Sequence, residues 1–397
     1  MDLAYPTPGR PKAGAPSGGG RQKASSGDLY DLGIIGGGFA GLSCARAAAR
    51  RGLRVLVLDR KPYPGARMHT TGLLVKEAAE RWEIPAALTR RVRGIRLYAP
   101  MLATLDLSAN GYYFLATDTP ALMRWFAREA SRAGAHLRFG RPYRGAHRVA
   151  LGFELATGER VRHLVGADGP KSAVAAEFGL GRNRKFLLGV EAEYECVTGV
   201  DPERLHCFLD RRLARGYIGW VVPGFGGRVQ LGLACRQPGK PDLAAFERKL
   251  APICDFGKAR QVGRRGGLIP VGGPVAPHAT RGVLLVGDAA GLVSPLSAGG
   301  IHTALESGWV AAHAIADHLL EDADEPGRVA ARSHSRFVCK RALRALFDLG
   351  IPDAWFDVAL RTRPFTALAR SVYFHHRGLR SAEGWRDLAQ TMLRGLP

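Results

Sequence analysis

A strand-like stretch, a glycine-rich turn, a helix-like stretch and a second strand-like stretch follow one another near the start of the chain. Residues 31–35 are largely apolar and run into Gly36, and residues 54–58 are largely apolar and end at Asp59. Between them, residues 42–51 have the composition and spacing of a helix. This pattern predicts a strand, a tight turn, a helix and a further strand.

Alternation of apolar and polar residues predicts β-structure in the middle of the chain. Residues 152–165 have the pattern of a hairpin, and residues 84–114 are largely strand-like. Four further segments alternate in the same way, at 186–197, 204–209, 217–222 and 228–234. Consecutive strands of this kind favour an antiparallel sheet.

Helical periodicity predicts most of the remaining elements. One helix is expected at 122–133, and from Ser307 onward the helical segments are 308–320, 341–349, 354–360 and 385–393. Residues 1–28 are rich in Pro, Gly, Ser, Lys and Arg and lack apolar periodicity, which predicts a disordered basic tail.

These elements divide the chain into interleaved domains. We expect one domain from residues 29–83, 115–182 and 265–320, a sheet domain from 84–114 and 183–264, and a helical C-terminal region at 321–397. With 397 residues and 46% hydrophobic content, the chain can bury the cores of two domains and an extension.

The formal net charge of +22 raises the question of an anionic partner. No helix-turn-helix, zinc-finger or aromatic-basic strand signature accompanies this charge, and the basic residues are spread along the chain. We therefore expect no nucleic-acid binding. Attraction to an anionic membrane surface or to phosphorylated substrates is a second interpretation, and a solvated basic surface is the preferred one.

Membrane and metal signals are also missing from the sequence. The sequence contains no run of about 18 uncharged apolar residues, so we expect no membrane-spanning helix. Six scattered cysteines show no CxxC or Cys/His ligand spacing, so no metal site is expected. With no apolar signal segment at the start, we expect a cytoplasmic protein.

The glycine turn has the residues that a dinucleotide site requires. Gly36 permits the tight turn, Gly38 lets the backbone approach a pyrophosphate, and Gly41 allows the helix to pack on the strand. The first helical turn offers unpaired N–H groups to phosphates, and a carboxylate about 20 residues further on can accept from ribose hydroxyls. The predicted contacts are Gly36, Gly37, Gly38, Phe39, Ala40, Gly41, Asp59 and Arg60.

Two later segments indicate which dinucleotide is bound. Asp168 and Gly169 follow the predicted hairpin, and an apolar strand runs into Gly287 and Asp288. Asp288 is placed to hold a ribityl or ribose hydroxyl. The helix that begins near Gly299 can direct N–H groups at a flavin ring, where its positive end favours negative charge. Further contacts are predicted at Pro295, Gly299, Gly300 and Ile301.

The three segments together resemble FAD-dependent oxidoreductases of the para-hydroxybenzoate hydroxylase superfamily, and within it the geranylgeranyl reductase-like branch. The resemblance spans residues 29–320. It implies an α/β fold with a Rossmann-like FAD-binding domain (GR2-type, three-layer), an inserted antiparallel-sheet substrate domain and a helical C-terminal region. It also implies FAD as the cofactor, with its ADP half on the glycine turn, Asp168 near the flavin pyrophosphate and the nicotinamide, and Asp288 on the ribityl chain.

Residues 216–223 indicate the branch, because Trp220 and Pro223 match an aromatic, Trp and Pro motif of the reductases, with the aromatic displaced by one position. Flavin-dependent halogenases carry two tryptophans in a related motif, but Ile218 stands where the first would be. Hydroxylases usually carry an arginine ahead of a Phe-Asp pair, near the helix that precedes the Asp-Gly segment, and in residues 117–125 this arginine is missing from its usual place.

The resemblance implies a reductase that transfers hydride from NAD(P)H through FAD to a C=C bond of a hydrophobic, isoprenoid-like substrate. The alternatives are an FAD-dependent monooxygenase of a small organic or aromatic substrate, and a redox-sensing flavoprotein without catalysis. Trp220 and Tyr217 are candidate walls of a substrate channel or plain core aromatics. His302 could donate a proton or bind the flavin, and His69 could line the active site.

The electron donor and contact with a membrane are left open by the sequence. No second GxGxxG segment follows a strand, so NAD(P)H binds transiently or another protein donates the electrons. Arginines interleaved with aromatic residues in the C-terminal helices are compatible with peripheral contact with a membrane surface. A helical cap on the FAD-binding domain is the preferred interpretation.

Overall fold

Strands form where the sequence is alternating or continuously apolar, and helices form where it has helical periodicity. The computed structural model describes residues 29–350 and 352–374, without the side chains of Cys339 and Leu346. The predicted basic tail at 1–28 and the predicted helix at 385–393 lie outside the described residues.

The described elements include runs of consecutive strands in the middle of the chain and consecutive helices toward its end. The strands are β1 (Leu29–Ile35), β2 (Val55–Asp59), β3 (Leu73–Val75), β4 (Thr89–Val92), β5 (Gly94–Tyr98), β6 (Thr104–Ser108), β7 (Phe114–Thr117), β8 (His136–Phe139), β9 (Ala146–Val149), β10 (Gly152–Leu155), β11 (Arg160–Gly166), β12 (Phe186–Glu195), β13 (Arg204–Phe208), β14 (Gly219–Pro223), β15 (Val229–Arg236), β16 (Arg260–Pro270), β17 (Ala279–Thr280) and β18 (Val283–Leu285). The helices are α1 (Phe39–Arg50), α2 (Lys76–Arg81), α3 (Thr119–Arg132), α4 (Ala173–Glu177), α5 (Leu243–Leu250), α6 (Ile301–Glu321), α7 (Pro326–Ser333), α8 (Val338–Asp348), α9 (Asp353–Ala359) and α10 (Arg363–Tyr373).

The first sheet has the strand order β17-β18-β11-β1-β2-β8, and the β9–β10 hairpin extends from β11. Strand β1 runs parallel to both β2 and β11. A parallel pair of consecutive strands needs a crossover, and α1 supplies it between β1 and β2. Strand β2 is buried along its whole length, which explains its continuous apolar sequence.

Two layers cover this sheet. On one face, α1, α3 and α6 pack through residues that include Leu42, Phe126 and Leu305. On the other face, Phe153 of the hairpin and Val174 of α4 join the core. The arrangement is the three-layer FAD-binding fold that the resemblance implies.

The second sheet has seven strands in the order β16-β12-β15-β14-β13-β5-β6. Its neighbours are antiparallel, as the alternation predicts, with one added parallel pair between β13 and β5. Strand β16 belongs to this sheet along its whole length. The domain boundary predicted at residue 265 therefore lies inside a strand, because sequence periodicity does not reveal which sheet a strand joins.

A small third sheet, in the order β3-β7-β4, lies between the two larger ones. Leu115 of β7 packs in the core of the first sheet, whereas its neighbours Phe114 and Ala116 pack in the core of the second. The predicted domain boundaries at residues 83 and 114 thus separate strands that are hydrogen-bonded to each other.

The C-terminal helices α9 and α10 cover the seven-stranded sheet. Phe356 of α9 and Phe374, which directly follows α10, are buried against Leu205 and Cys207 of β13. The sequence favoured a cap on the FAD-binding domain, whereas among the described helices after α6 only α7 reaches that core, through Ala330. Among the helices of the described residues, none combines the length and the apolar character needed to cross a membrane.

Candidate functional site

Three segments that are far apart in the sequence meet where β1, β11 and β18 end. These strands are parallel, so their carboxyl ends lie at one edge of the sheet. A Cβ atom at Gly36 would lie 2.2 Å from the carbonyl oxygen of Ala167, and one at Gly287 would lie 2.9 Å from the Cβ of Ala40. Glycine is therefore required at both positions for the segments to approach each other.

Packing within the protein does not explain why residue 38 is a glycine. A Cβ atom at Gly41 would lie 1.8 Å from the carbonyl oxygen of Gly36, but one at Gly38 would meet no atom within 4 Å. The Gly38 backbone, with φ of −84°, is accessible to any residue. The open space beside Gly38 is what a closely approaching ligand requires.

The two helices that begin at this edge have no side-chain caps. Helix α1 starts after Gly38 and helix α6 starts after Gly300, and neither glycine offers a capping oxygen. By contrast, Asp118 caps α3 and Asp242 caps α5. The first-turn N–H groups of α1 and α6 therefore remain available to an anionic or polar ligand.

Asp59 ties the glycine turn to the end of β2. Its carboxylate accepts from the backbone N–H of Gly37 at 2.6 Å and from that of Lys61 at 2.7 Å. The neighbouring Arg60 is exposed. These bonds fix a carboxylate beside the turn, where the sequence predicts a ribose contact.

The other predicted contacts differ in what they can offer. The Phe39 ring packs edge-on against Phe126 in the core, with 5.8 Å between ring centroids, so Phe39 can offer only its backbone. In the loop before α6, Pro295 is buried, Gly299 is exposed and Ile301 is half-buried.

The Asn183 side chain joins the middle segment to the third, because its amide donates to carbonyl oxygens of both. Asp168 Oδ2 accepts from the N–H of Ala173 at 2.7 Å, while Asp168 Oδ1 is buried and bonded to no described residue. Gly169 follows in the left-handed region, with φ of +88°. The Asn183 amide donates to the carbonyl oxygen of Asp288 at 2.8 Å and so connects the two segments.

Asp288 is a carboxylate in a desolvated place. Burial raises its pKa to about 6, and no described residue donates a hydrogen bond to its side chain. Its Oδ1 lies near the start of α6, 3.5 Å from where a Cβ atom at Gly300 would be. An unsatisfied carboxylate at this position suits a ligand hydroxyl, because a hydrogen bond to the charged form offsets the desolvation.

FAD fits these features. Its pyrophosphate suits the open space at Gly38 and the uncapped start of α1, and a ribityl hydroxyl suits Asp288. The uncapped start of α6 suits the ring system, because the positive end of the helix favours the negative charge that the ring would gain on reduction. Within the described residues, no group of three or more His, Cys, Asp or Glu side chains is arranged to hold a metal ion.

A row of side chains crosses the seven-stranded sheet on one face. Arg265, Glu191, Gly232 and Trp220 are register partners on β16, β12, β15 and β14. A Cβ atom at Gly232 would lie 2.4 Å from the Trp220 ring, so the ring lies across β15. Its Nε1–H donates to Glu191 at 2.8 Å, and Glu191 also accepts from Arg265 Nε at 2.6 Å and from the Thr71 hydroxyl at 2.5 Å.

Tyr217 connects this sheet to the loop before α6. Its hydroxyl donates to the carbonyl oxygen of Ser297 at 2.7 Å, and burial raises the pKa of Tyr217, so the phenol is neutral at physiological pH. The Tyr217 and Trp220 ring centroids are 6.4 Å apart. Two of the predicted wall residues therefore lie together where the sheet meets the predicted flavin loop.

The two candidate histidines belong to different elements and make different contacts. His302 is half-buried on the first turn of α6, and its Nε2 is 3.8 Å from the carboxylate of Glu306. His69 is exposed, with Nδ1 2.8 Å from the carbonyl oxygen of Gly266 on β16.

Sequence reasoning missed Glu191, Arg265 and Asn183. Glu191 is only 4% exposed although it is charged. The available signal was the repeated Glu at alternate positions of β12, since an acid in a strand with an apolar partner face needs a basic neighbour. The register that brings Arg265 opposite Glu191 is not readable from either strand alone.

We predict that Gly38→Ala folds normally but binds FAD at least about tenfold more weakly, because the added methyl fills space that only a ligand would use. The free energy of unfolding of the flavin-free protein should change by no more than about 1 kcal/mol. Calorimetry and flavin absorbance measure the two effects. Gly41→Ala is the contrast, since its methyl strikes the turn and should destabilise the fold itself. Undiminished FAD affinity in Gly38→Ala would contradict this assignment.

We also predict a pH-dependent stabilisation of the flavin-free protein by Asp288→Asn. The folded-state pKa of Asp288, about 6, lies above the ordinary 3.8, so the stability that its protonated form contributes is complete below pH 3.8 and lost as pH rises through about 6. Asparagine carries no charge at any pH. The midpoint of thermal unfolding should therefore rise at pH 7.5 and change little near pH 4. An equal shift of the unfolding midpoint at both pH values would contradict a raised pKa of Asp288 in the folded protein. The control is Asp324→Asn, at an exposed position.

Comparisons with known proteins agree with this geometry. A family model described as FAD dependent oxidoreductase matches residues 31–122. Digeranylgeranylglycerophospholipid reductase 2 of Methanothermobacter thermautotrophicus is 30% identical over 369 residues, which cover 84% of this chain and 91% of that protein.

Solved structures show the same fold. A geranylgeranyl bacteriochlorophyll reductase-like protein of Thermoplasma acidophilum matches with a TM-score of 0.75 at 22% identity, over 84% of this chain and 91% of that chain. A myxobacterial chondrochloren halogenase matches with a TM-score of 0.66 at 18% identity, over 93% and 98%. The fold is thus shared by reductases and halogenases, whereas the sequence likeness over most of both chains is to a reductase. The chain belongs to the geranylgeranyl reductase family of FAD-dependent oxidoreductases.

Proposed function

We propose that this protein saturates a C=C bond of a hydrophobic, isoprenoid-like substrate, with NAD(P)H as the electron donor and FAD as the carrier. The observation that carries the proposal is the position of Trp220, which is half-buried on the sheet face that Tyr217 ties to the loop before α6. The names of the relatives, which refer to geranylgeranyl lipids, support the same substrate class.

The reaction balances with a reduced nicotinamide as the only reductant. The alkene gains two hydrogen atoms: one arrives as hydride, with both electrons, and the other as a proton from a side chain or water. Bound FAD supplies the chemistry of accepting a hydride from the nicotinamide and passing it on. NAD(P)+ is the oxidised product.

The protein's own residues position the substrate and exclude water. Glu191 holds the Trp220 indole by its N–H, and Arg265 neutralises the Glu191 carboxylate. Thr71 adds a third hydrogen bond from the loop that follows β2. A Trp220 ring that is fixed in this way keeps an apolar substrate chain in one orientation. Orientation matters because a displacement of the reacting atoms by about 1 Å can cost about a hundredfold in rate.

His302 and His69 are the proposed candidates for delivering the proton. His302 has the more protected position, on the first turn of the helix that would face the flavin, whereas His69 is exposed. A proton donor must lie within hydrogen-bond reach of the carbon that receives the proton. Substitution of each by glutamine, with the pH profile of turnover, distinguishes the two.

Peripheral contact with a membrane surface through the C-terminal helices is part of the proposal. On α9, Trp355 and Val358 are each 67% exposed, and the nearby Leu349 is 84% exposed. Exposed apolar side chains beside arginines are typical of surfaces that rest on anionic lipid. Co-sedimentation of the full chain with phosphatidylglycerol vesicles measures this contact, and protein that stays in the supernatant would argue against it.

The test is turnover of geranylgeraniol by the FAD-loaded enzyme with NADPH in the absence of oxygen. We expect a product heavier by two hydrogen atoms for each saturated double bond, measured by mass spectrometry. Oxygen-dependent addition of one oxygen atom would instead identify a monooxygenase. Trp220→Phe keeps an aromatic ring but loses the bond to Glu191, so kcat/KM should fall about tenfold, whereas Trp125→Phe on α3 should leave it unchanged.

A further inference from the structure

A pocket opens where the end of the seven-stranded sheet meets α8 and α9. Its volume is about 370 Å³, within the range of small-molecule sites. Its lining includes Arg211, Arg215 and Arg236, one acid, Asp348, and the rings of Phe347 and Phe356. The lining of this pocket includes none of the predicted FAD contacts and neither Trp220 nor the residues that bond to it.

The rim of the pocket carries excess positive charge. The backbone N–H of Arg236 donates to the carbonyl oxygen of Arg215 at 2.8 Å, which holds these two residues side by side. Arg236 NH1 is 3.5 Å from Asp348, and the Arg215 guanidinium has no partner among the described residues. Arg211 is fixed at the rim through a bond to the carbonyl oxygen of Gly350 at 3.2 Å.

Behind the rim lies a buried arginine, Arg344, which pairs with Asp348, the acidic residue of the pocket lining. Arg344 is 5% exposed and donates to Asp348 at 2.7 Å, while its Nε–H has no acceptor among the described residues. Its NH2 is 3.4 Å from where a Cβ atom at Gly216, a lining residue, would be. Asp348 therefore serves Arg344 as well as Arg236, and it cannot balance the arginines of the rim.

Two aromatic rings line the pocket, and one of them belongs to the core on which Trp220 packs. The Phe347 and Phe356 ring centroids are 6.0 Å apart. Phe356 belongs to the buried cluster that contains Cys207 and against which Trp220 packs. Next to the lining residue Gly216 stands Tyr217, which bonds to the loop before α6. The pocket thus combines arginines with two aromatic rings, and the Phe356 ring lies in the same core as the surroundings of Trp220.

We propose that this pocket binds the phosphate-bearing end of an amphiphilic substrate, with Arg215 and Arg236 as its ligands, and that the apolar chain extends from there toward Trp220. The inference rests on the proposed function. Guanidinium groups present a planar fork that matches two phosphate oxygens. Fixing one end of a flexible chain determines which of its double bonds lies beside the reduced cofactor, so the pocket sets both affinity and position of reduction.

The experiment compares geranylgeranyl phosphate with geranylgeraniol as substrates of the FAD-loaded full chain. In the double variant Arg215→Ala with Arg236→Ala, KM for the phosphate ester should rise at least about tenfold, while KM for the alcohol stays within about twofold. In Arg215→Lys, which keeps the charge but not the planar fork, KM for the phosphate ester should lie between those of the wild type and the double variant. The double variant Arg124→Ala with Arg128→Ala, at two exposed positions of α3, removes an equal charge elsewhere and should change neither KM. Flavin absorbance and thermal unfolding establish that the variants are folded and loaded.

The outcomes separate the pocket from the proposed reaction. If the wild type reduces both substrates and the variants show an unchanged ratio of KM values, the pocket assignment is overturned and the reductase proposal stands. If the wild type reduces neither, the proposed function fails. In that case calorimetric titration with geranylgeranyl phosphate decides about the pocket, since loss of binding in the variants alone supports it. Variants that lose only binding to phosphatidylglycerol vesicles would show a membrane contact and overturn a substrate site.

Discussion

Close backbone approach at a few glycines is the constraint on which the rest of this structure depends. A Cβ atom at Gly308 on α6 would lie 2.1 Å from the carbonyl oxygen of Ala40 on α1. Together with Gly36 against Ala167 and Gly287 against Ala40, this contact draws three segments, from the start, middle and later part of the chain, to one edge of the sheet. Protein interiors are too densely packed for side chains at these places to be accommodated by small shifts.

The same edge holds groups that the protein alone leaves unsatisfied. Two helices begin there without caps, Asp288 is desolvated, and one oxygen of Asp168 is buried without a bond. Each feature costs stability in the flavin-free chain, and a dinucleotide with a pyrophosphate and hydroxyls would offset all of them. Several local departures from good capping and good solvation therefore coincide where the ligand fits, as expected of a functional site.

The sequence predicted what depends on local pattern and failed where distant strands meet. The glycine turn, the strands β12 to β15 and the helix α6 follow from local periodicity and steric roles. The hydrogen bonds of Glu191 with Thr71, Trp220 and Arg265 depend on the register of four strands and on a loop, none of which is encoded within one strand. For the same reason the parallel pairing of β5 with β13 and the composition of the small β3-β7-β4 sheet could not be predicted.

The proposed function depends on two sheets: the first brings the glycine segments together where FAD would bind, and in the second Glu191 holds the Trp220 indole. The most direct measurement is the flavin content of the purified chain after incubation with excess FAD, with the bound fraction determined from visible absorbance and protein concentration. The account predicts one tightly bound FAD per chain. A folded, colourless protein that takes up no FAD under these conditions would contradict it.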